Sequence, residues 1–350
     1  MSAGYYRQNR NRKYSIMSHN IQNDAVCGMI GYGSWATALV HTLQMNRQKI
    51  WWHIRNQEVL ESIQTEGKNA KYLNDIDFDR DMINATDDIN EVVRNSDIII
   101  IAAPSAYLKD FLSDLKEPLN DKFILSATKG IIPEDYKTIT EYFKDTYSLS
   151  YSQLGLISGP SHAEEVSRDR LSYLTVACTD DENGKIIGER FSTNNIQIRY
   201  SKDIYGIEYA GILKNIYALA GGLAVGLGYG DNFRAVLTAA GAQEMTRFIQ
   251  ESYPFDRDTM EYAYLGDLLV TSYSSFSRNR RLGQLIGHGC TVKSALNEMT
   301  MIAEGYFAAE CIKHINERHN ISMPIADMVY DVLYKRANPR RRMKELTTQL

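Results

Sequence analysis

Lys214 is the only lysine in the run GIEYAGILKNIYALAGG (206–222), among Ile, Leu, Ala and Gly, and a lysine is almost never fully buried without a partner. If residues 208–223 wind as a helix, Ile212, Ile216, Leu219 and Leu223 form one narrow apolar stripe and Lys214 points the opposite way. Its own face carries Ala210, Gly211, Tyr217, Ala218 and Gly221, with no other charge. Two readings stay open, a solvent-facing lysine and a lone cation in a pocket wall. A solvated face normally carries several charges, whereas small residues let a backbone or a ligand come close, so the face favours the pocket.

Further polar residues fit such a pocket. In LGDLLVTSYSSFSRNRRLG (265–283), Asp267 and Thr271 stand four apart, on one face of a helix, and Arg278 and Asn279 follow in a serine-rich turn. An acid beside a buried lysine keeps it charged or tunes its pKa, which burial alone lowers. An arginine at a bend among hydroxyls and amides suits a phosphate; the alternative for Arg278 is a surface basic run with Arg280 and Arg281. Lys129, in SATKG (126–130), closes the fourth apolar strand, where ligands bind in open parallel sheets. His162 in GPSHAEE invites a nucleophile or base reading, but Ser161 and Glu164 are spaced as a capping box, and a helix start near the ligand is the preferred use.

A second feature handles anions. GMIGYGSWATAL (28–39) follows the first apolar run with G-x-G-x-x-A at Gly31, Gly33 and Ala36. Such a turn is tight at Gly31, lets a pyrophosphate approach at Gly33, and packs helix on strand at Ala36. The anion then rests on a helix N-terminus. The second strand ends WWHIRNQ, placing Arg55 where an NAD site carries an acid. Arginine suits a 2′-phosphate, so NADP is expected, alongside NAD; the alternative is a surface arginine.

These residues need a scaffold. Short β-branched runs at 25–30, 49–54, 96–104, 122–130, 154–160, 173–178 and 196–200 alternate with helix-length segments such as Trp35–Met45 and Ala106–Leu115. That pattern predicts a Rossmann-type, mostly parallel sheet covered by helices on both faces. From Ile204 the strand signals stop and helical patterns such as Ile302–Ile315 and Pro324–Lys335 run on. The expected plan is α/β: a disordered basic extension at 1–23, a dinucleotide-binding domain at 24–203 and an all-helical substrate domain at 204–350.

Bulk properties narrow the function class. The 350 residues hold 39 Lys+Arg against 43 Asp+Glu, a net charge of −4 that gives no basic bias toward nucleic acid. Cys27, Cys178, Cys290 and Cys311 have no C-x-x-C spacing and read as small buried hydrophobes in a reducing, cytoplasmic setting. The longest apolar stretch, Ile216 to Tyr229, is broken by four glycines and falls short of the roughly 20 residues of a membrane span. Gly222 and Gly226 within it read as close helix packing. Arg340, Arg341 and Arg342 read as solvated surface.

Ordered motifs together carry a resemblance. GYGSWATAL, SATKGI, SGPSHAEEV, GILKNIYALAGGLAVGLGYGDN, LGDLLVTSYSSFSRNRRLG and IAEGYFAAE make residues 24–335 similar to NAD(P)-dependent glycerol-3-phosphate dehydrogenases. The resemblance implies interconversion of dihydroxyacetone phosphate and glycerol 3-phosphate, feeding phospholipid synthesis, with NAD or NADP and no metal. It implies that Lys214 is the general acid and base, completed by Lys129 and Asp267. Asn215, Thr271, Arg278, Asn279, Gly159, Ser161 and Lys129 would hold the substrate. Gly31, Gly33, Ser34, Trp35, Arg55, Lys129, Ala163, Arg278 and Glu304 would hold the cofactor. The chemistry agrees, since hydride arriving at a ketone carbon leaves charge on oxygen that a positioned ammonium stabilises and protonates.

Departures are Tyr264 where the family has glycine, Ala36 for the third fingerprint glycine, and Ala240 for an arginine. Two rivals follow: a hydroxy-acid dehydrogenase of the same two-domain plan, and a cofactor-binding protein without catalysis. The second predicts loss of the polar set, yet Lys129, Lys214, Asn215, Asp267, Thr271, Arg278 and Asn279 are all present. A homodimer is expected from the pairing habit of helical domains.

Overall fold

The computed structural model describes residues 19–350. Eight strands form one sheet in the order β3-β2-β1-β4-β5-β8-β9-β10. They are β1 (Cys27–Ile30), β2 (Ile50–His53), β3 (Ile83–Thr86), β4 (Ile98–Ile101), β5 (Phe123–Ser126), β8 (Leu154–Ser158), β9 (Ser172–Cys178) and β10 (Ile196–Ser201). β6 (Ile131–Ile132) and β7 (Lys137–Thr138) make a separate hairpin. All pairings in the large sheet are parallel except β8 with β9. The four isoleucines of β4 are at most 1% exposed, as a strand covered on both faces requires.

Helices cover both faces. On one side α1 (Ser34–Met45), α2 (Gln57–Glu66) and α7 (Asp181–Phe191) pack on the sheet, and on the other α3 (Ile89–Arg94), α4 (Leu108–Leu112) and α5 (Ile139–Thr146). α6 (Ala163–Val166) is a single turn after β8. The chain order reverses between β1 and β4, and ligands in such sheets bind outside the strand ends at that crevice.

From Ile204 onward the chain is helical: α8 (Ile204–Gly226), α9 (Asp231–Ser252), α10 (Asp267–Tyr273), α11 (Arg278–Gly287), α12 (Val292–Glu298), α13 (Glu304–Asn316), α14 (Pro324–Tyr334) and α15 (Pro339–Leu346). α8 is the axis of this half and is buried around most of its circumference, Gly221 being open, packing on β8, α10, α11 and α13. The narrow apolar stripe read from the sequence is therefore only part of its buried surface. Gly222 and Gly226 meet α11 at Gly283 and Gly287; a Cβ on Gly222 would stand 2.0 Å from the Arg280 carbonyl oxygen. These glycines let two backbones touch, fixing where α11 begins.

Three expectations change. β3 and the β6–β7 hairpin were not anticipated: INAT offers one buried apolar residue on an edge strand, and the hairpin strands have two residues each. Residues 1–18 of the expected extension lie outside the described residues. Its last residues are not loose, because Ile21 N donates to Asn183 Oδ1 at 2.8 Å and Arg190 bonds the carbonyls of Asn23 and Ala25. Arg342, read as solvated surface, pairs with Asp331 at 2.8 Å and with Glu345.

Candidate active site

The sheet's carboxyl edge and the helical half enclose a cleft of about 700 Å3, within the usual range of ligand sites. At its nucleotide end, β1 runs into a turn where Gly31 has φ +118° and a Cβ would collide with the Ala102 backbone at 2.7 Å. Gly33 caps α1 without a side-chain hydrogen bond, and a Cβ there would meet nothing within 4 Å. The turn thus leaves open space before free helix N–H groups, which fits a pyrophosphate. Ser34 and Trp35 line the cleft beside it. Arg55 is exposed past the end of β2, its guanidinium 4.9 Å from the ring centre of Phe111, which also lines the cleft.

The polar centre lies where the two halves meet. Lys214 on α8 is 6% exposed and its Nζ donates to Asp267 Oδ1 on α10. Lys129, just past β5, places its Nζ 3.0 Å from Asp267 Oδ2 and donates to the Gly159 carbonyl at 2.6 Å. Gly159 can present that carbonyl because its backbone turns at φ +122°. Two ammonium groups thus share one buried carboxylate. Burial pulls the pKa of Lys214 down to about 7; Asp267 pushes it up, and Lys129 pushes it down again. Lys214 is therefore poised to give or take a proton near neutrality, and it does not face solvent.

Amides hold this centre in register. Asn215 Nδ2 donates to the Lys129 carbonyl at 2.8 Å, Asn279 Nδ2 donates to Asn215 Oδ1 at 2.8 Å, and Gly305 N donates to Asn279 Oδ1 at 2.8 Å. The chain of bonds joins the end of β5 to α8, α11 and α13. Thr271 lines the cleft and donates to the Asp267 carbonyl at 2.7 Å. Arg278 opens α11 with its side chain exposed at the cleft. Glu304 opens α13 and accepts from Ser105 N at 3.0 Å and from the Ser105 hydroxyl, tying α13 to the loop after β4. Burial raises its pKa.

Gly33, Ser34, Trp35, Lys129, Ser161, Ala163, Lys214, Asn215, Asp267, Thr271, Arg278, Asn279 and Glu304 all border one cleft; Gly31 and Gly159 stand just behind it, and Arg55 reaches its far end only over Phe111. The capping box does not form. α6 starts at Ala163 with His162 as its cap and no side-chain bond, because the Ser161 hydroxyl turns back to the Gly159 carbonyl at 3.0 Å. Sequence reasoning missed the loop after β4, where Ala102, Pro104, Ser105 and Tyr107 line the cleft or brace it. Its place at the carboxyl end of the strand beside β1 was the available signal. Among the described residues there is no His/Cys/Asp/Glu group arranged to hold a metal ion.

The family described as NAD-dependent glycerol-3-phosphate dehydrogenase matches twice, its N-terminal part over residues 26–184 and its C-terminal part over residues 203–344. The chain belongs to this family. It is 34% identical to the glycerol-3-phosphate dehydrogenase [NAD(P)+] of Staphylococcus carnosus, covering 88% of this chain and 93% of the relative. It is 35% identical to that of Thermoanaerobacter sp., over 92% and 96%. Its fold superposes on the glycerol-3-phosphate dehydrogenase of Coxiella burnetii with a TM-score of 0.85 at 27% identity, covering 93% of this chain and 99% of the other.

Within the family frame the departures find places away from the cleft. Tyr264 is 2% exposed and donates to Asp203 Oδ2 at 2.6 Å, an oxygen that also pairs with Arg257. Asp203 caps α8 through Gly206 N, so Tyr264 braces the start of that helix instead of reshaping the pocket. Ala240 is half-buried on α9 against the helical core.

Proposed function

We propose that this chain catalyses reversible hydride transfer between NAD(P)H and dihydroxyacetone phosphate, giving sn-glycerol 3-phosphate, with Lys214 as general acid and base. The observation that carries the reading is the buried Lys214 ammonium held on Asp267 in the cleft that begins at the Gly31–Gly33 turn. A bound nicotinamide dinucleotide supplies the hydride. In this reading the Lys214 amine faces the C2 oxygen of the ketone and delivers a proton to it as charge develops there. Lys129 adds a second positive charge and shares Asp267, which keeps both amines oriented.

Arg278, exposed at the N-terminus of α11, binds the substrate phosphate. Asn215 and Asn279 act as positioning residues, since their amides bond the scaffold. Gly33, Ser34 and Trp35 receive the cofactor pyrophosphate, and Arg55 favours a 2′-phosphate, so both nucleotides are used with NADP preferred. The helical half exposes Val236, Leu269, Tyr273 and Phe276, apolar surface that supports a homodimer. All four cysteines are free, in keeping with a cytoplasmic enzyme. Among the described residues no helix is long and apolar enough to cross a membrane. The test is reduction of dihydroxyacetone phosphate followed by loss of nucleotide absorbance; no oxidation of NADH or NADPH would refute the proposal.

A further inference from the structure

We propose that Tyr264 is a positioning residue for proton transfer: its bond to Asp203 holds the turn that aims Asp267 at Lys214. This rests on the reading of Lys214 as acid and base given above. Lys214 and Asp267 belong to different helices, so their contact depends on how α10 begins relative to α8. α10 begins out of a π-helical turn, Tyr262–Gly266, and the Asp267 amide donates to the carbonyls of both Tyr262 and Tyr264. The bond to Tyr262 spans one residue more than an α-helix allows, and that extra residue re-aims the side chain that follows. Such turns are rare, and this one is fastened from outside.

The fastening is the buried Tyr264 hydroxyl, which donates to Asp203 Oδ2 at 2.6 Å. Asp203 is itself fixed. Arg257 Nε donates to Oδ2 at 2.5 Å and Arg257 Nη2 to Oδ1 at 3.2 Å, while Gly206 N, in the first turn of α8, donates to Oδ1 at 2.9 Å. Lys214 follows about three turns further along the same helix. One carboxylate thus ties the turn that carries Asp267 to the helix that carries Lys214. The Lys214 amine reports on that tie, because Asp267 raises its pKa against burial and Lys129, and His162, its own pKa lowered, faces the same centre. Burial and Asp203 raise the pKa of Tyr264 above its usual 10, so the hydroxyl is neutral and removing it changes no charge. A shift at Lys214 then measures how well Asp267 is aimed.

The experiment follows the Lys214 amine directly, by NMR of the full chain isotope-labelled at lysine Cε, with the Lys214 signal assigned by its absence from Lys214→Ala. The unaltered protein should titrate at about pH 7. In Tyr264→Phe the midpoint is expected to fall by about 0.5 in pH or more. The kcat for reduction drops by about three- to tenfold while KM for NADPH holds. In an Asp267→Asn background Tyr264→Phe should move the midpoint no further, because the group it aims is gone. Tyr334→Phe loses a comparable bond elsewhere in the helical half, to the Tyr306 carbonyl at 2.8 Å. It is expected to lose similar stability in urea and to leave the midpoint in place. A kcat or midpoint unmoved in Tyr264→Phe overturns the proposal, and so does a midpoint that moves equally in the Asp267→Asn background or in Tyr334→Phe. If the midpoint shifts as expected in a protein that reduces dihydroxyacetone phosphate with neither nucleotide, the tie stands and the substrate reading fails, a result distinct from these.

Discussion

Lys214 is the group proposed to carry the chemistry because its amine is buried against Asp267, a carboxylate for which Lys129 competes. Lys214→Ala is expected to lower turnover by about 10²–10⁴-fold while nucleotide affinity, read by fluorescence titration, stays near normal. With its pKa drawn down to about 7, the amine is protonated below that pH and neutral above it. Reduction needs the proton, so its kcat falls as pH rises through about 7; oxidation needs the free base and rises over the same range. A residual Lys214→Ala activity that kept this profile would assign the titration to another group. Arg55 sits over Phe111 at the far end of the cleft, where no acid closes β2. Arg55→Asp should weaken NADPH binding by about tenfold or more and NADH far less, as measured by KM for each; equal effects would make it a surface arginine.

At the scale of elements, the junction of α8 with α11 decides where Arg278 and Asn279 point. A Cβ on Gly283 would lie 2.1 Å from the Leu219 carbonyl oxygen, a backbone atom that cannot move unless α8 moves. Gly283→Ala is therefore expected to cost about 1–3 kcal/mol and to raise KM for the phosphorylated substrate as α11 shifts. Gly221, one residue from Gly222 on the same helix, has no atom within 4 Å of an added Cβ. Gly221→Ala should instead stabilise by about 0.5–1 kcal/mol through helix propensity; denaturant melts of the pair check both signs. These elements also show what the sequence made legible. The glycine turn, the β-branched strands and the charge-free face around Lys214 are local signals, and each led to the observed place. β3 and the loop after β4 are held by neighbours distant in sequence and left little local pattern. The Ser161 capping box failed because the Gly159 carbonyl, brought near by a left-handed backbone, competed for the hydroxyl.

On the scale of the whole molecule, the cleft exists because buried polar bonds join the sheet half to the helical half. Ser105 with Glu304 is one such bond, Lys129 with Asp267 another, and Glu208 supplies a third. Glu208 on α8 accepts from Thr140 N at 3.0 Å and from the Thr140 hydroxyl, at the first turn of α5. Burial raises its pKa from 4.5 to about 7, outweighing those bonds. An acid whose pKa is raised by folding contributes stability in full below its unfolded value, and that stability is lost as pH rises through the folded value. The window is thus pH 4.5 to about 7, and the loss amounts to about 3 kcal/mol at most. Glu244, which caps α14 and is raised in the same way, loses stability over the same window and leaves a background slope. Glu208→Gln copies the protonated carboxyl, with its oxygen toward Thr140 N and its amide toward the hydroxyl. Urea melts should find the variant close to the unaltered protein near pH 4.5 and more stable than it above about pH 7. Were the two to melt alike on the alkaline side, Glu208 would already be ionised where it is buried, and the join between the halves would be a charged one held by Thr138 and Thr140.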